Sequence, residues 1–206
     1  MMSAWLLLPV CLVLAADPPA RIVYSKSFPG STPSFVSIAL EETGRAEYRE
    51  APDDDSPLVL ELSEADAREI FALAGKLDHF RRPLEANLKV AFTGTKIFRY
   101  ERGSLRQEAK FNYSTDPDAR ALWDWFERIT ETAQLFIQLE RAAKHDRLGV
   151  NQAVLQLEVA YDRKRLVAAQ QFVRLLERIA SNEVYMHIAR ERAARLADSF
   201  RAGSGP

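Results

Sequence analysis

The hydrophobic pattern of this chain changes period at Asp116, and that change fixes the class of fold it can form. Before Asp116 apolar residues recur at every second position, as in Val36, Ile38 and Leu40, then Leu58, Leu60 and Leu62, then Phe98 and Tyr100. Leu105, Gln107, Ala109, Phe111 and Tyr113 share one phase, while Arg106, Glu108, Lys110 and Asn112 share the other. Successive side chains of a strand point to opposite faces, so this alternation predicts an antiparallel sheet with one buried and one wet face. Mixed charges on the wet face serve solubility and cross-strand pairing. After Asp116 the period becomes helical, with Leu122, Trp125, Phe126, Ile129, Ala133, Phe136 and Ile137 in one stripe. Strands followed by helices predict an α+β fold. It consists of a small antiparallel sheet with one covering helix, followed by a long helix and a C-terminal helical bundle.

The boundaries follow from turn and cap chemistry. Arg21 to Tyr24 opens the sheet, Ser25 to Gly30 interrupts it, and Glu42-Thr43-Gly44 makes a hairpin because Gly accepts a positive φ. Ser63, with Asp66 three residues on, caps a helix predicted over Glu64 to Phe80 and stopped by Arg81-Arg82-Pro83. Its apolar face is Ala67, Ile70, Phe71, Ala74 and Leu77, and it is the helix expected to cover the sheet. Arg102-Gly103-Ser104 turns a second hairpin. Asp116 caps the long helix and Pro117 takes its first position. That helix is expected to reach about Lys144, with Gly149 closing it and Trp123 at the edge of its stripe. Shorter helices are predicted over Asn151 to Tyr161, Arg163 to Ala180 and Glu183 to Phe200, forming a small bundle. The chain thus divides into a leader at 1–16, a sheet domain at 17–115, a helical domain at 116–202 and a tail at 203–206.

Ala4 to Ala16 is almost wholly apolar and ends in small residues before Asp17-Pro18-Pro19. A run of about a dozen residues is too short to span a bilayer, which takes about 20 as a helix. It fits the apolar part of a secretory signal peptide, with cleavage after Ala15 or Ala16. The expected location is therefore outside the cytoplasm, periplasmic or extracellular. Cys11 is the only cysteine and would leave with the leader, so no disulfide or thiolate metal site is expected in the mature chain. Net charge is −1, but roughly +5 falls from Arg141 onward and roughly −6 before it. The basic C-terminal part can meet an anionic envelope surface or its own acidic domain. Nucleic acid is not an expected partner.

The chemical motifs are sparse. His79, His145 and His187 stand in no zinc-binding spacing. Asp53-Asp54-Asp55 lacks the alternating ligands, central Gly and late Glu of a calcium loop, and reads as a solvated acidic loop. No Gly-x-Ser-x-Gly elbow is present, and Gly94 and Gly103 are isolated from any phosphate-cradling loop. No catalytic, cofactor-binding or metal-binding residue is assigned, and no cofactor is expected. Arg163-Lys164-Arg165 is read as opening a helix, where positive charge opposes the dipole and Asp162 offsets it. Those three residues and Trp123 form the candidate interaction surface.

The run Ile22-Val23-Tyr24, the Pro-containing hairpin with Val36 and Ile38, and Ser63 before a helix resemble small exported bacterial domains of unknown function. Gln152-Ala153, Leu155, Leu157-Glu158, Ala160, Ala168-Ala169, Gln171-Phe172 and Leu175 resemble the FIMAH-type three-helix module of secreted bacterial proteins. Arg163-Lys164-Arg165 departs from that pattern, as does the absence of a glycine-rich turn before the last helix. The resemblance implies an exported bacterial helical module and no reaction. The expectation is a non-catalytic protein-binding or scaffolding module of the cell envelope, its partner and oligomeric state not named by the sequence. The alternative is a small-ligand binder or hydrolase with its site in the sheet–helix cleft, drawing on His79, Tyr100 or Tyr113.

Overall fold

A computed structural model describes residues 19–203 of the chain. The expected leader at 1–16 and the tail residues 204–206 lie outside the described residues. Six strands, β1 (Arg21–Ser27), β2 (Phe35–Glu41), β3 (Arg45–Arg49), β4 (Leu58–Glu61), β5 (Thr95–Arg102) and β6 (Leu105–Phe111), form one sheet. Their order is β4-β3-β2-β1-β5-β6, with every neighbouring pair antiparallel. The β2–β3 turn needs its glycine twice over. Gly44 sits at φ +94°, and a Cβ there would stand 2.5 Å from the carbonyl oxygen of Leu62.

The alternation seen in sequence becomes the two faces of the sheet. Ile22 and Tyr24 of β1, Val36, Ile38 and Leu40 of β2, Phe98 and Tyr100 of β5, and Ala109 and Phe111 of β6 are buried. Phe98 is the hub of this face, its ring 5.2 to 5.7 Å from those of Phe80, Phe111, Tyr24 and Phe126. The other face carries a ladder of charges. Glu61 pairs in register with Arg45, Arg21 pairs with Glu41 on one side and Glu101 on the other, and Glu101 pairs with Arg106.

Five α-helices complete the fold: α1 (Glu64–Lys76), α2 (Pro117–His145), α3 (Gly149–Asp162), α4 (Val173–Ser181) and α5 (His187–Ala202). Ser63 and Asp116 are the N-caps of α1 and α2, accepting from the N–H groups of Asp66 and of Asp118 and Ala119. Two helices cover the sheet where one was expected. Ile70, Leu73 and Ala74 of α1 share a core with Leu122, Trp125, Phe126, Ile129 and Ala133 of α2. From Leu139 onward α2 enters a second core with Val150, Val154 and Leu157 of α3, Leu176 and Ile179 of α4, and Leu196 and Phe200 of α5. The secondary structure changes at Asp116, but the cores divide about halfway along α2. Among the described residues no helix is long and apolar enough to cross a membrane.

Several boundaries differ from the sequence reading. Helix α1 ends at Lys76, short of Phe80, because Asp78, His79 and Phe80 all take positive φ (53°, 49° and 69°). This left-handed turn swings Phe80 into the sheet core, where its ring stacks on Phe98; burial of a large ring offsets the steric cost. Gly149 does not close α2 but begins α3. The helix expected from Arg163 is replaced by a link in which Arg163 caps the end of α3, Lys164 and Ala168 take φ 55° and 50°, and 169–172 form a 3-10 turn. The link must bury Val167 in the sheet-side core and, five residues on, Phe172 in the helical one. The last helix likewise starts at His187 instead of Glu183, since Tyr185 is drawn inward to donate to the Ala143 carbonyl at 2.9 Å.

Candidate functional site: a groove along α2

The inward phase of two strands ends in charge. On β1 it runs Ile22, Tyr24, Lys26, and on β5 it runs Tyr100, Phe98, Lys96; the register sets Lys26 opposite Lys96. Two cations side by side on a covered face need compensation. Helix α2 supplies it through Glu127, whose Oε1 accepts from the Tyr24 hydroxyl (3.0 Å), Lys26 Nζ (3.1 Å) and Trp123 Nε1 (2.8 Å). Lys26 also reaches Oε2 at 3.3 Å. Lys96 is fully buried; its Nζ donates to Asn112 O (2.8 Å) and Thr93 Oγ1 (3.0 Å) and stands 4.7 Å from the Trp123 ring centre. Burial lowers the Lys96 pKa and Lys26 adds to that, against Glu127 and Glu85. Burial and then Glu127 raise the Tyr24 phenol well above its ordinary value. These groups are the tie that fixes α2 against the sheet.

Beside this tie, three concavities follow the exposed side of α2. The first, about 630 Å³, is lined by Pro117, Arg120, Trp123, Asp124, Glu127 and Arg165. The second, about 160 Å³, joins Glu127, Thr130 and Gln134 to Lys26 and to Ser31, Thr32 and Ser34 of the β1–β2 link. The third, about 380 Å³, lies between α2 and α3 and includes Gln134, Gln138, Gln152, Gln156, Leu155 and Arg163. Glu127 belongs to the first two and Gln134 to the last two. The groove therefore extends from Pro117 to Gln138, about 30 Å at 1.5 Å per residue. Arg165 lies against it and bridges two carboxylates of α2, with Nη1 2.7 Å from Asp124 Oδ1 and Nε 3.0 Å from Glu131 Oε2.

The residues expected to form an interaction surface are thus partly assembled. Trp123 and Arg165 share the first concavity and Arg163 lines the third, whereas Lys164 is exposed and lines none of the three. Trp123 also reaches the sheet domain through Lys96. The sheet–helix interior is filled by the rings of Tyr24, Phe98 and Phe126. At its edge the half-buried His79 lies tilted against Tyr100, ring centres 4.4 Å apart, and neither lines the groove. His145 and His187 are exposed at helix ends. Asp54 holds the Ser56 N–H in its loop. No group of three or more potential metal ligands occurs among the described residues.

Sequence reasoning passed over Lys26, Lys96, Glu127 and the four glutamines. The lysines did leave a signal, since each is a charge standing in the apolar phase of its strand. The glutamines left none, because a carboxamide on a helix face has the same pattern whether or not a neighbouring helix makes a groove of it. No protein-family model matches the chain, and no curated protein matches it.

Proposed function

We propose that this chain is an exported, non-catalytic module of the bacterial cell envelope that binds another protein, whose chain lies along the α2 groove. The observation that carries this reading is the succession of three concavities along α2, neighbouring ones sharing Glu127 or Gln134. A trough about 30 Å long suits a polypeptide segment better than a compact metabolite. Its lining suits a backbone, because glutamine side chains both donate and accept hydrogen bonds and the Leu135, Leu155 and Val159 side chains offer apolar contact. Most of its charges are already paired within the groove, so recognition rests on shape and carboxamides more than on net charge. Export is supported by the apolar run ending at Ala16.

Photo-crosslinkable residues at Ala121 and Gln138, with a control at Arg106 on the outer sheet face, test this in native envelope extract. The expected outcome is one common adduct from both groove positions and none from the control. Adducts from the control alone would overturn the reading. A second reading, a small polar ligand at Lys26, is supported by the small second concavity with its three hydroxyl-bearing residues. No groove adduct, together with a melting temperature raised by small carboxylic acids, would favour it.

A further inference from the structure

Of the basic run Arg163-Lys164-Arg165, Arg165 is consumed by Asp124 and Glu131. The structure directs attention to the opposite end of α3. Helices α3 and α5 run side by side in the same direction: Arg192 reaches Asn151 (3.0 Å) and Glu158 (2.7 Å), and the Tyr161 ring lies 5.0 Å from that of Phe200. The bond from Tyr185 to Ala143 holds the α4–α5 link against the last turn of α2. The end of α2, the starts of α3 and α5 and the end of α4 therefore gather at one tip.

Four large apolar side chains, from two links and the start of α5, are exposed there: Leu148 (77%), Val184 (55%), Ile188 (54%) and Met186 (42%). One exposed Leu is ordinary, but four such residues gathered at one end form a patch. The same elements carry Arg141, Lys144, Arg147, Arg178 and Arg190. Of the carboxylates among them, all but the exposed Glu183 are engaged. Lys144 holds Glu140 at 3.0 Å, His187 lies 3.3 Å from Glu191, and Asp146 accepts from the Gly149 N–H at 3.0 Å. Arg141, Arg147 and Arg178 form no ion pair among the described residues.

We propose that this tip docks on an anionic lipid surface. Leu148, Val184, Met186 and Ile188 enter the boundary between headgroups and acyl chains, and the arginines around them meet lipid phosphates. A protein partner would have to present an apolar patch rimmed with acid in a matching shape. An anionic bilayer offers both properties without any specific shape. The inference is independent of the groove, whose lining on α2 ends at Gln138, short of the tip.

Flotation of the chain from Asp17 onward, which contains every described element, tests it without the apolar leader. The probes are phosphatidylcholine vesicles and vesicles of equimolar phosphatidylcholine and phosphatidylglycerol. Binding is expected only to the anionic vesicles and weakens as salt shortens the Debye length below about 10 Å. Arg147→Gln weakens it about fivefold, and Leu148→Ser with Ile188→Ser about tenfold or more, with unchanged melting temperatures. Gln138→Ala, in the groove, leaves it unchanged. Equal binding to both vesicle types, no binding, or tip variants that bind as the parent would each overturn the proposal. So would light scattering showing that the tip variants turn a dimer into monomers, since the patch would then be a protein interface.

Discussion

The two cores of this molecule are built on different principles. Around Phe98 the sheet-side core packs rings whose positions are set by strand register, and buried polar ties through Glu127 and Lys96 fix the covering helix to the sheet. The helical core is mainly aliphatic, with Phe172 and Phe200 meeting edge to face at 6.2 Å. Helical stripes hold it in place, and its polar ties sit at the margins, as where Arg192 of α5 reaches Asn151 and Glu158 of α3. The contrast shows why α2 matters beyond its length: among the described residues it is the one helix with residues in both cores, and its exposed side is the groove. The shape of the groove thus depends on how firmly the two cores hold to each other.

The largest effect comes from emptying each core in turn. Phe98→Ala should cost about 4 kcal/mol and Leu157→Ala about 3 kcal/mol in urea unfolding, from lost burial and the cavities left behind. Hydrogen exchange then sharpens the comparison. If α2 couples the cores, Leu157→Ala speeds exchange in the sheet as well as the bundle. If only the bundle amides respond, the halves open separately and the break lies within α2.

A smaller effect separates the anchoring of α2 from its packing. Burial would raise the Asp116 pKa, but the bond from Arg82 and the N–H groups of Ala119 and Asp118 outweigh it and leave it below the ordinary carboxylate value. Its contribution is therefore fully present above that ordinary value and is lost as pH falls through the lowered one. Asp116→Asn preserves the cap but removes the charge, so stability at neutral pH should drop by about 1 kcal/mol or less. Its denaturation curves should converge with those of the parent in acid. The smallest effect tests the link between the cores. Ala168 sits at φ 50°, so Ala168→Gly should raise stability by up to about 1 kcal/mol in the same urea series.

What could be read beforehand divides along the same line. The sheet strands, the Gly44 turn and the Ser63 and Asp116 caps all rest on local rules, and the structure has each of them. The segments Arg163 to Phe172 and Glu183 to Met186 follow a helical stripe in sequence, but Val167 and Tyr185 are recruited by distant residues, Thr132 and Ala143, and only Val173–Ser181 between them is α-helical. Tertiary burial overrides the stripe there. For the groove, Trp123 and Arg165 stood out through residue type, whereas Glu127 acquires its role only when β1 and β5 bring two lysines beneath it.

The charged ladder on the outer face has a consequence for how the sheet forms. Sliding β6 by two residues along β5 would keep the same side chains outward, so the hydrophobic pattern alone would not object. In the native register Arg99 faces Glu108 and Glu101 faces Arg106. The slipped strand would set Arg99 against Arg106, or Glu101 against Glu108, and a similar slip of β1 would set Arg21 against Arg99. Like charges directly opposite repel. The wet face thus acts as a spelling check on strand alignment, rejecting misregistered hairpins that the buried face would accept.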